Sequence, residues 1–304
     1  MISITNPNFS IEAETVVTMG NFDGLHRGHM TLINKTLEEK KLKSVVLSFY
    51  PHPSAFFSKE QNFKTILSSH EKQYLLENIN IDYFVEYPFT KEFSQLSAKD
   101  FAKDIVVNKL NCKTLIIGNN CRFGKGGEGS VSTACEYGRL FGFKVIILQP
   151  VLLNNDRISS TKIRELILSS NLENANEYLG RNYFIRGHVV SGKKLGRKLG
   201  FPTANIIPCK NKLLPPNGVY ITSTIIKNES FSSVTNIGVN PTVDGKEITA
   251  ETFILDFSKD IYGEIIQVDF HKKIREEVKF DSLEELIDNI QNNANIAKEF
   301  RNVP

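Results

Sequence analysis

Between residues 15 and 150, short apolar runs alternate with stretches whose apolar positions recur at helical spacing. Thr15-Val16-Val17-Thr18-Met19 reads as a buried strand, and Gly20-Asn21-Phe22-Asp23-Gly24 breaks it. A helix is predicted next, with Met30, Ile33 and Leu37 on one face. Ser44 to Phe49 is a further predicted strand, ended by Pro51-His52-Pro53, and similar runs cover 83–85, 114–117 and 144–148. Strands separated by helices predict a parallel sheet with crossover connections. Ligands of such sheets sit beyond the carboxyl ends of the strands.

The pattern changes near Arg181. Predicted strands at 183–190, 218–226, 232–237, 251–257 and 265–270 are divided by Gly, Pro and Asn turns, with no helical period between them. This predicts an antiparallel barrel. A closing helix follows, capped by Asp281 or Ser282, with Leu283, Leu286, Ile287, Ile290, Ala294 and Ala297 at helical spacing. The expected organisation is therefore two domains, residues 1–180 and 181–304.

Composition narrows the function classes. The chain has 304 residues, 40% hydrophobic and 23% charged, with 37 basic and 34 acidic side chains. That balance does not suggest a nucleic-acid partner, which needs a clustered basic face. Cys112, Cys121, Cys135 and Cys209 stand far apart, so reduced thiols in a cytoplasm are expected rather than a zinc site or a disulfide framework. No apolar run approaches the ~20 residues that span a bilayer, so no membrane partner is expected. The first residues lack the basic-then-apolar pattern of a signal peptide.

Two constellations carry candidate chemistry. In Gly20-Asn21-Phe22-Asp23-Gly24-Leu25-His26-Arg27-Gly28-His29, glycines permit close backbone approach to a phosphate. The helix N-terminus adds N–H groups and positive potential. His26 and His29 share a face if the helix starts there. On spacing alone they would also suit a metal pair or an incidental surface pair, although no third zinc-type ligand is near. Ile158-Ser159-Ser160-Thr161-Lys162-Ile163-Arg164 opens a second predicted helix, either as a simple cap or as a second anion site.

Together these motifs resemble the nucleotidyltransferase superfamily. The longer string with Tyr50-Pro51-His52-Pro53 is similar to its FAD synthetase branch. The resemblance implies a Rossmann-like α/β fold in which His26, His29 and Arg164 bind and stabilise ATP phosphates. It places Gly20, Asn21, Phe22, Ser159, Ser160 and Thr161 along that pocket and His52 near the incoming FMN. The family often carries an acid where this chain has Asn120, in Gly118-Asn119-Asn120-Cys121-Arg122-Phe123-Gly124, leaving an amide for the ribose or adenine contact.

The second constellation is Gly192-Lys193-Lys194-Leu195-Gly196-Arg197-Lys198-Leu199-Gly200-Phe201-Pro202-Thr203-Ala204-Asn205. Its first part reads as an exposed basic turn or as a phosphate wrap. Thr203 and Asn205 are two apart, so on an extended segment both face one way. Their oxygens suit magnesium, a hard cation that keeps several waters. No Walker motif occurs, since Gly124–Ser130 lacks the Lys-Ser/Thr ending. The run closely resembles the riboflavin kinase signature, and the segments 216–220, 236–242, 260–264 and 274–277 agree in order.

That resemblance makes Glu251 the general base. It implies Thr203 and Asn205 as magnesium ligands, with Gly192, Lys193, Gly196, Phe201 and Arg275 against substrate. Where the family has histidine after Glu-Thr, this chain has Phe253. The whole chain thus resembles the bacterial bifunctional riboflavin kinase/FMN adenylyltransferase family. That implies an enzyme using ATP and magnesium to phosphorylate riboflavin to FMN and to adenylylate FMN to FAD.

Overall fold

The structure, a computed structural model, describes residues 1–58, 63–192, 199–242 and 245–300, with no side-chain description over 240–247. By Cα proximity the chain divides into two compact units, Met1–Ser160 and Thr161–Pro304.

The first unit is built on six parallel strands: β1 (Ile2–Ile4), β2 (Thr15–Met19), β3 (Lys43–Tyr50), β4 (Tyr83–Pro88), β5 (Cys112–Gly118) and β6 (Lys144–Leu148), in the order β1-β4-β3-β2-β5-β6. Every residue of β2 is buried, as a central strand covered on both faces requires. Its Val17 and Met19 pack with Val45, Leu47, Val85 and Leu115 into one apolar cluster. The chain winds outward from β2 through β3 to β4, then returns to the other side of β2 as β5. The order reverses between β2 and β5, where α/β sheets hold their ligands.

β1 was not legible as a strand. Three residues are too few to show a period, and the strand exists because it pairs with β4, Ile2 opposite Tyr83. Helix α1 (Arg27–Glu38) connects β2 to β3. Helices α2 (Pro53–Phe57) and α3 (Ser69–Glu77) lie between β3 and β4, and Ser68 and Glu71 form a capping box on α3. A short hairpin, β7 (Leu152–Leu153) and β8 (Asp156–Arg157), follows the sheet.

The second unit is a closed barrel of β9 (Tyr183–Val190), β10 (Thr203–Ile206), β11 (Gly218–Ile226), β12 (Glu229–Thr242), β13 (Gly245–Ile254) and β14 (Ile265–Arg275), with strand order β10-β13-β12-β11-β14-β9 and β9 paired to β10. All its pairings are antiparallel. The run expected at 251–257 stops at Ile254 and belongs to the longer β13, and left-handed Asp256 (φ 53°) follows it. The hydroxyls of Thr222, Thr224, Ser233, Thr235 and Thr252 are buried and hydrogen-bonded to one another, so their polarity is satisfied. The closing helix, Leu283–Glu299, is capped by Ser282, whose side chain accepts from the Glu285 N–H. Its Ala294 and Ala297 pack on Val219, Ile221 and Val234.

Candidate functional sites

In the first unit the predicted residues gather at the carboxyl edge of the sheet. Gly20 and Asn21 follow β2, His52 follows β3 and Asn120 follows β5, three adjacent strands. His26 is the N-cap of α1, and its Nδ1 accepts the His29 N–H at 3.2 Å. The two imidazoles stack with centroids 3.6 Å apart, and fully buried Phe22 meets His29 edge-on at 5.2 Å. Phe22 holds a left-handed φ of 48°, a conformation costing a bulky residue about 1–2 kcal/mol, so the turn depends on its surroundings. A Cβ on Gly28 would lie 3.2 Å from the His26 ring, so the glycine leaves that ring its place.

Neighbouring side chains tie the turn down. Asp23 is buried, and its carboxylate accepts the N–H groups of Ile66 at 2.8 Å and Leu67 at 3.4 Å. Ser160 donates its hydroxyl to the Asp23 carbonyl at 2.7 Å, which ties this serine to the first motif. Ser160 and Thr161 are the first two residues of the helix Ser160–Leu168, and Ser159 precedes it. Arg164 lies one turn further along, in the second unit. His52 caps α2, accepting the Ser54 N–H at 3.1 Å, and stacks on Phe63 with centroids 4.7 Å apart. Asn120 is exposed at the end of β5, its Oδ1 within 3.4 Å of a Cβ position on Gly118.

Sequence reasoning missed Lys72 and Glu86. Both are buried, and Lys72 donates to the Asn21 carbonyl at 3.2 Å, to Ser48 Oγ at 2.9 Å and to Glu86 at 3.3 Å. Nothing in the local pattern marks a helix lysine and a strand glutamate as partners. Both Cys112 and Cys121 are held as thiols, their pKa values pushed up to about 12 by burial.

In the barrel, two cavities flank one residue. The first, about 280 Å³, is lined by Gly192, Thr203, Asn205, Lys259, Asp260 and Tyr262 among others. The second, about 310 Å³, is lined by Phe201, Thr203, Asn236, Glu251, Arg275 and Glu277, with Leu286 and Ile290 of the closing helix. Thr203 lines both. Asn205 pairs across the sheet with Glu251, and Glu251 with Asn236, so the three share one face of the barrel. A Cβ on Gly192 would fall 2.6 Å from the Asn205 amide nitrogen, so this glycine gives the amide its room. Lys193 and Gly196 lie outside the described residues, as do Lys194, Arg197 and Lys198.

The ring of Phe253, which stands where a histidine was expected, meets Phe201 edge-to-face at 5.3 Å. Asn236 and Glu277 are functional candidates that the sequence did not single out. The Glu277 carboxylate accepts from Asn217 at 3.0 Å and Asn236 at 3.3 Å. A Cβ on Gly238 would collide with it. Arg275 donates to the Glu276 carbonyl at 3.0 Å and stands over Phe280 at 5.4 Å, while its Nε has no partner among the described residues.

The family model for FAD synthetase matches residues 9–162, and that for riboflavin kinase matches residues 179–301. A bifunctional riboflavin kinase/FMN adenylyltransferase of Escherichia coli (strain K12) is 37% identical over 289 residues, covering 94% of this chain and 92% of its own. The chain belongs to the bifunctional riboflavin kinase/FMN adenylyltransferase family. A relative of the same name from Bacillus subtilis (strain 168) is 33% identical over 301 residues, covering 95% of this chain and 94% of its own. A solved structure from Streptococcus pneumoniae, named a macrolide-efflux protein, matches with a TM-score of 0.88 at 30% identity and covers 99% of this chain and all of its own. Among the described residues, no helix of this family member is long and apolar enough to cross a membrane.

Proposed function

We propose that this chain converts riboflavin to FAD in two ATP-dependent steps, phosphorylation by residues 181–304 and adenylyl transfer by residues 1–180. Membership of the bifunctional family supports both activities. The observation that carries the kinase reading is the position of Thr203 between two cavities, one holding Asn205 and the other Glu251. A donor nucleotide in the first cavity and riboflavin in the second would meet at Thr203.

Glu251 accepts the proton of the riboflavin 5′-hydroxyl as that oxygen attacks the γ-phosphorus of ATP, and ADP leaves. Phe201 and Phe253 form an apolar wall suited to a flat flavin ring, and Arg275 offers an unused Nε–H beside it. Thr203 and Asn205 present neutral oxygens on one strand face, a donor set that fits magnesium arriving with ATP. When bound, magnesium neutralises phosphate charge.

In the second step a phosphate oxygen of FMN attacks the α-phosphorus of ATP, and pyrophosphate leaves. No protein nucleophile is needed, so positioning and electrostatics supply the rate. His26, His29 and Arg164 donate to the phosphates, with Gly20, Asn21, Phe22, Ser159, Ser160 and Thr161 along the pocket. His52 stands on the flavin side and Asn120 on the nucleoside side. Gly192, Lys193 and Gly196 are assigned to the nucleotide of the kinase. The balanced charge and free thiols fit a cytoplasmic enzyme with no nucleic-acid partner.

Incubation with riboflavin, ATP and magnesium, followed by separation of the flavins, tests the proposal. FAD is the expected product. FMN alone would remove the second step, and unchanged riboflavin would remove the first.

A further inference from the structure

The Lys72–Glu86 pair is buried, with side chains 8% and 4% exposed. Desolvation of two charges offsets most of their mutual attraction, so such a pair is a poor source of stability. Its hydrogen bonds show where its effect falls. The three protons of the Lys72 ammonium match three acceptors, the Asn21 carbonyl, Ser48 Oγ and Glu86. Ser48 itself donates to the same Asn21 carbonyl at 3.1 Å, and Ser69 donates to the other Glu86 oxygen. Glu86 also cancels the lysine charge, so the pair adds little net field to the turn above it.

The Asn21–Phe22 peptide is planar and trans, so a carbonyl held by Lys72 and Ser48 turns the Phe22 N–H the opposite way. Phe22, strained at φ 48°, sets its ring against His29, which stacks on His26. We propose that Lys72, held by Glu86, is a positioning residue for adenylyl transfer: it fixes the Asn21–Phe22 peptide and, through the Phe22 ring, the His29 imidazole. This rests on reading the turn as the adenylyl-transfer site.

The test uses the full chain carrying Lys72→Met and Glu86→Gln together, which leaves no buried unpaired charge. Three quantities are read: riboflavin phosphorylation, kcat and KM for adenylyl transfer to FMN, and the NMR signals of the His26 and His29 rings without ligand. The expected result is a kcat for adenylyl transfer lower by about 10²-fold, the cost of roughly 1 Å of misplacement, with phosphorylation unchanged and both ring signals shifted. Unchanged adenylyl transfer would overturn the proposal. So would a joint fall of both activities with a lowered thermal transition, which marks a purely structural role. If the parent protein shows no adenylyl transfer, the functional reading of the turn fails. The ring signals then still decide the positioning, since unshifted rings overturn it and shifted rings sustain it.

Discussion

Asn205 and Glu251 are directly opposed across the antiparallel β10–β13 pair, so an amide suited to magnesium and the expected catalytic carboxylate share one face of the barrel. The adjacent Thr203 pairs with Phe253, one step along each strand from the Ala204–Thr252 pair. Thr203, which lines both cavities, thus stands one pair beyond Ala204 from the opposed Asn205 and Glu251.

Glu251→Gln keeps the shape and removes the carboxylate proposed as the base. Phosphorylation of riboflavin is expected to fall by about 10²–10⁴-fold, the usual contribution of a general base, with adenylylation of supplied FMN unaffected. Separate assays with riboflavin and with FMN check this, and a folded variant lacking both activities contradicts separate sites.

His29→Ala removes one oriented donor from the strand-to-helix turn. Adenylyl transfer is expected to fall by on the order of 10²–10³-fold with phosphorylation intact. Turnover of FMN at the parent rate would remove His29 from the phosphate site.

Gly192→Ala places a Cβ 2.6 Å from the Asn205 amide nitrogen, and the amide must move. The expected outcome is a fall of roughly 10²-fold in kcat/KM for Mg·ATP in phosphorylation. Steady-state kinetics at fixed riboflavin measure it, and an unchanged value would show that Asn205 does not need its present orientation.

His271 is buried beneath Phe300, and desolvation lowers its pKa from 6.5 to about 4, while Ser223 Oγ meets its Nε2 at 2.8 Å. The fold therefore favours the neutral ring, and the unfolded chain binds the proton more readily. This contribution is complete above pH 6.5 and is lost as pH falls towards 4, on the order of 3 kcal/mol across that window. Urea unfolding between pH 7 and 4.5 is expected to show a slope that His271→Phe flattens. Equal slopes would exclude His271 as its source.

The alternation of apolar runs marked most strands, because buried strands and amphipathic helices leave periods that survive in one dimension. β1 was lost for want of length. The run at 251–257 was displaced because the apolar pattern continues past the point where Asp256 turns the backbone. Candidate site residues were legible where the motif is local, as in the turn from Gly20 to His29. Lys72, Glu86, Asn236 and Glu277 were not, since each acquires its partner across the fold.

The sequence alone determined that glycines and histidines follow a buried strand, that Thr203 and Asn205 share a parity, and that a glutamate stands at 251. Tertiary structure decided what those residues face. Only pairing β10 with β13 sets Asn205 opposite Glu251, and only the tertiary fold brings the Lys72 ammonium of α3 to the Asn21 carbonyl. Local spacing is encoded by the backbone repeat, whereas opposition across strands depends on register, and register is settled when the whole core is buried together.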